Sequence, residues 1–145
     1  MQPDPIDKGG DLAHRVVAME RDVGSGDWDA ARRWFTADVA YHVAGRPPFR
    51  GVEGIRKYME WQRRIVTWLG HRSHLVFELQ DTVVIEADSH FERIATRTRF
   101  DLPCTDVYRF RPDGGRKLIY DWRVYADVSH FLNQAFPFEE TAPRG

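Results

Sequence analysis

Apolar positions recur at helical spacing in the first half of the chain and switch to a two-residue period in the second. Leu12, Val16, Met19 and Val23 mark one face of a first helix, with His14, Arg15, Glu20 and Arg21 on its other faces. Gly24-Ser25-Gly26 ends it. Asp27 caps a short second helix whose stripe is Trp28, Ala31 and Phe35. Residues 38–44 alternate as a strand, and Gly45-Arg46-Pro47-Pro48-Phe49-Arg50-Gly51 is a tight, proline-stiffened connection. A third helix is predicted over 52–69, with Ile55, Tyr58, Met59, Gln62, Ile65, Val66 and Leu69 inward and Gly70 as its stop.

Strands are then predicted over 74–79, 82–95, 102–111 and 117–126, with Pro112-Asp113-Gly114-Gly115 as a hairpin turn. Asp127 opens a final short helix carrying Val128, Phe131, Leu132 and Phe136. This order predicts an α+β fold: a curved antiparallel sheet wrapped around helices, cone-shaped, with an internal pocket. It also predicts three segments: a lead-in over 1–11 with two prolines and Gly9-Gly10, one domain over 12–136, and a polar tail over 137–145.

The chain has 145 residues, enough for one domain with a core of its own. Lys and Arg number 21 against 22 Asp and Glu, so there is no basic excess to bind nucleic acid by neutralising phosphates. The apolar runs are too short to span a membrane, and Met1-Gln2-Pro3-Asp4-Pro5 lacks signal-peptide character, which points to the cytoplasm. A single cysteine, Cys104, excludes an internal disulfide and reads as a small buried hydrophobe. Five Trp, five Tyr and nine Phe are more rings than a plain core needs, so a shared ring-lined face becomes the natural expectation.

Several segments resemble a known family. Gly26-Asp27-Trp28-Asp29 ahead of Phe35, Ala37-Asp38-Val39-Ala40-Tyr41-His42, and Pro47-Pro48-Phe49-Arg50-Gly51 resemble the opening of NTF2-like proteins, and most closely their SnoaL-like branch. Phe91-Glu92-Arg93, Leu102-Pro103, Val107-Tyr108-Arg109-Phe110 and Asp121-Trp122-Arg123-Val124-Tyr125-Ala126-Asp127 are similar to strands of limonene-epoxide hydrolases. The resemblance covers about residues 12–136 and implies the fold more firmly than the reaction.

Carried over residue by residue, the hydrolase site keeps Arg93 and Tyr41 but has Val124, Ala95 and Val43 where that family has two Asp and an Asn. Valine and alanine exchange no protons, so epoxide hydrolysis by that mechanism is excluded. Similarity to ketosteroid isomerases keeps Asp106 as the oxyanion donor. It puts Met19 at the helix Tyr, and Val43 or His42 at the base, depending on the gap in the first loop.

The candidate catalytic residues are therefore Asp106, Arg93, Tyr41 and His42. Strand alternation groups Asp106 with Tyr108 and Phe110, Trp122 with Tyr120 and Val124, Arg93 with Phe91 and Ala95, and Tyr41 with Val43. With Met19, Trp28 and Tyr58 from the helices, these make up the candidate ligand-binding wall. Asp106 reads either as an ion-paired carboxylate or as a site acid or base, and Arg93 either as half of an ion pair or as a clamp for an anionic or carbonyl group.

His71-x-x-His74 has no third ligand at suitable spacing and reads as a surface pair. Asp127-x-Ser129-His130 is too local to form a triad. Arg63-Arg64 reads as a solvated helix face.

The expectation is a cofactor-free acid/base enzyme (isomerase, cyclase, dehydratase or hydrolase) for a hydrophobic ring-bearing, polyketide- or terpenoid-like molecule. The alternative is a non-catalytic binding protein of the same shape. No cofactor and no metal are expected. A homodimer is expected through an outward row of Val107, Arg109, Arg123 and Tyr125, joined by Phe136-Pro137-Phe138.

Overall fold

The computed structural model describes residues 11–131. Helix α1 (Asp11–Ser25) buries Leu12, Ala13, Val16, Met19 and Val23 on one stripe. Gly26, at φ 75°, turns the chain into α2 (Trp28–Ala31), whose N-cap Asp27 accepts from the Ala30 amide. A 3-10 turn (Arg32–Trp34) follows, then β1 (Phe35–Val43) and a two-residue β2 (Phe49–Arg50). Helix α3 (Gly51–Arg63) buries Val52, Ile55, Tyr58 and Trp61. Four long strands complete the sheet: β3 (Val66–Leu79), β4 (Thr82–Arg93), β5 (Arg99–Asp113) and β6 (Arg116–Ala126).

The sheet order is β2-β1-β6-β5-β4-β3. The hairpin from β5 to β6 turns on Gly114 and Gly115, both at positive φ, as a two-residue loop of the primed type requires. One pair departs from the expected antiparallel order: β1 runs parallel to β6. These strands are distant in sequence, and α3 with the long meander supplies the crossover that a parallel pair needs. The sheet is therefore mixed and curved, with α1 and α3 against its concave side and the core between them.

Three elements differ from the sequence pattern. The third helix stops at Arg63 rather than Leu69, because Ile65-Val66-Thr67-Trp68 is a β-branched and aromatic run that pairs with β4 instead: Val66 with Arg93, Thr67 with Glu92, Trp68 with Phe91. Gly70 is then no helix stop; it lies in β3 at φ 104°, within a register irregularity between Trp68 and His71. Strand β1 begins at Phe35, which leaves the stripe of the second helix to become a strand residue.

Asp127 does cap a turn, accepting from the Ser129 amide, and a 3-10 turn covers Val128–Phe131. The lead-in, Leu132, Phe136, the Phe136-Pro137-Phe138 patch and the polar tail lie outside the described residues. No helix among the described residues is long and apolar enough to cross a membrane.

Candidate active site

A cavity of about 360 Å³ opens between α1, α3 and the concave sheet. That volume falls toward the lower end of the roughly 300–1,000 Å³ usual for small-molecule sites. Its walls are apolar and aromatic: Val23, Met59, Val66 and Leu102 with Tyr41, Trp68 and Trp122. Cross-strand register brings three of the expected residues into one row. Tyr41 stands opposite Trp122, Trp122 opposite Tyr108, and Asp106 opposite Val124. The Tyr41 and Trp122 ring centroids are 4.5 Å apart, and those of Tyr108 and Trp122 are 5.3 Å apart.

The chemistry gathers at the floor. Tyr108 Oη lies 2.7 Å from Glu20 Oε1 and 3.0 Å from Asp106 Oδ2. Trp122 Nε1 donates to the same Asp106 oxygen at 3.0 Å. A phenol carries one proton, so Tyr108 donates to one carboxyl at a time. The other short oxygen–oxygen contact is favourable only when a proton sits on that carboxyl itself.

The pair therefore holds one shared proton. Asp106 Oδ2 has two donors aimed at it and is the better home for the negative charge. Glu20 Oε2 is buried and has no hydrogen bond among the described residues, which makes Glu20 the better home for the proton. Burial pushes Glu20 up from 4.5 to about 7 against the opposing hydrogen bond from Tyr108. Burial first, then the charge of Glu20, pushes Asp106 up from 3.8 to about 6. The two carboxyls titrate as a unit.

Groups around the pair complete the floor. His71 Nε2 faces Glu20 Oε2 at 3.7 Å, beyond hydrogen-bond reach but close enough to bias its charge. Burial holds the Tyr41 hydroxyl well above its usual range, so it stays a donor. Burial likewise pushes the Cys104 thiol up to about 12, leaving it protonated at the cavity wall near Ser89 Oγ, 3.6 Å away. No group of three His, Cys, Asp or Glu among the described residues is placed to hold a metal ion.

Of the sequence candidates, Asp106, Tyr41, Trp122 and Val124 line the cavity, and Tyr108 backs its floor. Tyr58 packs behind Tyr41 with ring centroids 5.4 Å apart. Met19, Trp28, Val43, Phe91 and Phe110 are buried in the core beside the cavity rather than on its wall.

Four candidates fall elsewhere. Arg93 lies eight residues beyond Ile85, the partner of Asp106, which at about 3.3 Å per residue is roughly 26 Å along β4; its guanidinium stacks over Phe100. Ala95 is exposed beyond the end of β4, in a turn closed by the Arg93 amide on the Thr98 carbonyl. His42 points from the other face of the sheet toward Asp121, at 3.5 Å. Burial and Arg123 both lower its proton affinity there. Tyr120 is turned out by an irregularity between Arg109 and Phe110, which makes Ile119 the partner of Phe110 and leaves Tyr120 under the Arg111 guanidinium.

The sequence reading missed Glu20, His71 and Arg63. Glu20 stands four residues after Val16 and three before Val23, so it borders the apolar stripe of α1, and that spacing was the available signal. His71 shares no role with His74, which pairs on the surface with Asp88 at 2.7 Å. Arg63, read as solvated, lines the cavity mouth.

The sequence model of the SnoaL-like domain matches residues 16–119. No curated protein matches the sequence. Among solved structures, a proposed SnoaL-like polyketide cyclase from Shewanella putrefaciens CN-32 superposes with a TM-score of 0.71 at 11% identity, covering 88% of this chain and 97% of that one. A protein of ketosteroid isomerase-like fold from Catenulispora acidiphila DSM 44928, in complex with trimethylamine, gives a TM-score of 0.64 at 21% identity, covering 82% and 90%. A proposed polyketide cyclase from Xanthomonas campestris pv. campestris gives 0.65 at 19% identity, covering 84% and 94%. At these identities the likeness is one of fold.

Proposed function

The chain belongs to the SnoaL-like domain family, and on that footing we propose that it is a cofactor-free acid/base enzyme for a small, hydrophobic, ring-bearing molecule of polyketide or terpenoid kind. The observation that carries the reading is the single Tyr108 hydroxyl within hydrogen-bond reach of two partly buried carboxyls on the floor of an aromatic cavity. Ionised Asp106 takes a proton from the substrate. Protonated Glu20 gives one to a developing oxyanion, releasing its hydrogen bond to the Tyr108 oxygen as it does so. Tyr108 touches both and lets the proton inventory reset between turnovers. Isomerisation, cyclisation and dehydration all need this pairing of a base and an acid a few ångströms apart.

A second reading, a binding protein without chemistry, draws on Val124, which lines the cavity at the position matched to the hydrolase base. The two readings diverge on a thermal-shift screen of hydrophobic ring-bearing metabolites followed by product analysis. A ligand at a hundred times its Kd adds about 2.7 kcal/mol of stability. Stabilising compounds that are also converted support the enzyme; stabilising compounds recovered unchanged support the binder.

A homodimer belongs to the same proposal. The convex side presents Leu75 (51% exposed), Phe77 (51%), Leu79 (58%) and Tyr125 (52%) around the Arg109–Asp121–Arg123 cluster. Phe77, Val84, Val107 and Arg123 lie in one cross-strand row. A second copy related by a twofold axis would cover it. Light scattering at micromolar concentration is expected to give the dimer mass, and Phe77→Glu the monomer mass; a monomer for the unsubstituted chain refutes the assignment.

A further inference from the structure

The cavity has two unlike ends. Its floor is deep and acidic, with Glu20 and Asp106 both partly buried there. Its mouth is formed where α1 and α3 end and β3 begins, by Gly24, Arg63 and Thr67, all exposed. Arg63 is tied down there: Nη2 donates to the Val23 carbonyl at 2.9 Å and to the Gly24 carbonyl at 3.0 Å. These are carbonyls of the last turn of α1, where a cation is favoured. The two bonds use both protons of that nitrogen and fix the guanidinium plane. Nε and Nη1 have no hydrogen bond among the described residues; Nη1 lies against Gly26, and the Nε edge is the one left to a ligand. An exposed arginine is ordinarily a loose surface charge; here the anchor removes most of the conformational freedom that a ligand contact would otherwise have to quench.

Together these ends constrain what the cavity can hold. A ligand anion on the floor would be repelled by the negative charge of the carboxyl pair. The same anion at the mouth meets a fixed guanidinium.

We propose that the substrate carries a carboxylate, held by Arg63 at the mouth, and that its neutral ring-bearing end reaches Asp106 and Glu20. The inference rests on the cavity being the active site, and it adds the charge and the orientation of the molecule. Arg63 here is a specificity-determining residue: it reads the ligand's acid group while the chemistry happens at the other end.

The test compares 2-naphthoate with its neutral amide, 2-naphthamide, by calorimetric titration of the full chain at pH 7.5 and low salt. The expected result is that the carboxylate binds at least five-fold tighter and that raising the salt to 0.5 M erodes the difference. Arg63→Gln is expected to abolish the discrimination, and Arg116→Gln, an exposed arginine at the start of β6, to keep it. Equal or tighter binding of the amide to the unsubstituted protein overturns the proposal, because that comparison needs no variant to fold. Full discrimination retained in Arg63→Gln overturns the assignment to Arg63. Failure of both probes to bind overturns the ring-binding reading of the cavity, and this inference with it; amide binding without discrimination leaves that reading standing and removes only this inference.

Discussion

Glu20→Gln is expected to be more stable than the unsubstituted protein at pH 8.5 and equally stable at pH 4. Losing a buried carboxylate ordinarily weakens a protein, so the sign is informative. The Glu20 carboxyl is raised from 4.5 to about 7 by burial, so the folded state holds its proton more tightly than the unfolded chain does. Stability from that proton is fully present below about 4.5 and is lost as the pH rises through about 7. At about 1.4 kcal/mol per pH unit, the interval from 4.5 to about 7 amounts to about 3 kcal/mol.

Glutamine keeps the shape, can donate its amide N–H to the Tyr108 oxygen as the protonated acid does, and never charges, so it escapes that loss. Urea unfolding at fixed protein concentration at the two pH values measures it. A Gln variant weaker at both would mean that contacts, rather than a buried charge, dominate at this position. Natural proteins keep a destabilising buried charge chiefly where it is used.

The second large effect falls on Asp106. With a substrate from the screen in hand, Asp106→Asn is expected to lose at least a hundredfold in kcat with little change in KM. Positioned acid/base groups contribute roughly 10²–10⁴-fold, and an amide cannot take the proton. Asparagine is nearly isosteric and can still accept from Trp122, so the cavity keeps its form. Arg93→Ala, roughly 26 Å along the strand from this chemistry, is expected to leave kcat unchanged. Full activity in Asp106→Asn would remove the acid/base reading and favour the binding protein.

Much of this site was legible from alternation alone. Tyr41, Asp106, Trp122 and Val124 lie on strands whose register is regular where they pair, so a two-residue period places them correctly. The errors gather where periodicity breaks. Tyr120 was assigned inward because a bulge between Arg109 and Phe110 reverses the parity, and bulges leave no mark on the period. His71 reads as a surface residue when the helix is taken to end at Gly70 and the strand to begin at His74, whereas β3 already begins at Val66 and carries His71 inward.

The overrun of α3 came from reading Ile65, Val66 and Leu69 as a helical stripe, when the run they belong to has the β-branched and aromatic character of a strand. Arg93 and Ala95 were carried in by family resemblance, which matches positions along the chain without measuring how far along a strand they lie. Glu20 was invisible as chemistry because a carboxylate at the border of an amphipathic helix is usually solvated. Only the curl of the sheet over α1 brings Tyr108 against it.

The account's central claim is that Glu20 and Asp106 share one proton through Tyr108. Carbon-13 NMR titration of the side-chain carboxyl carbons of the two residues tests it most directly. The expected result is a coupled titration in which the pair loses its first proton near 6 and its last near 7, the single proton held in between lying mainly on Glu20. Two independent carboxyls, each ionising near 4 as in a solvated side chain, would contradict it.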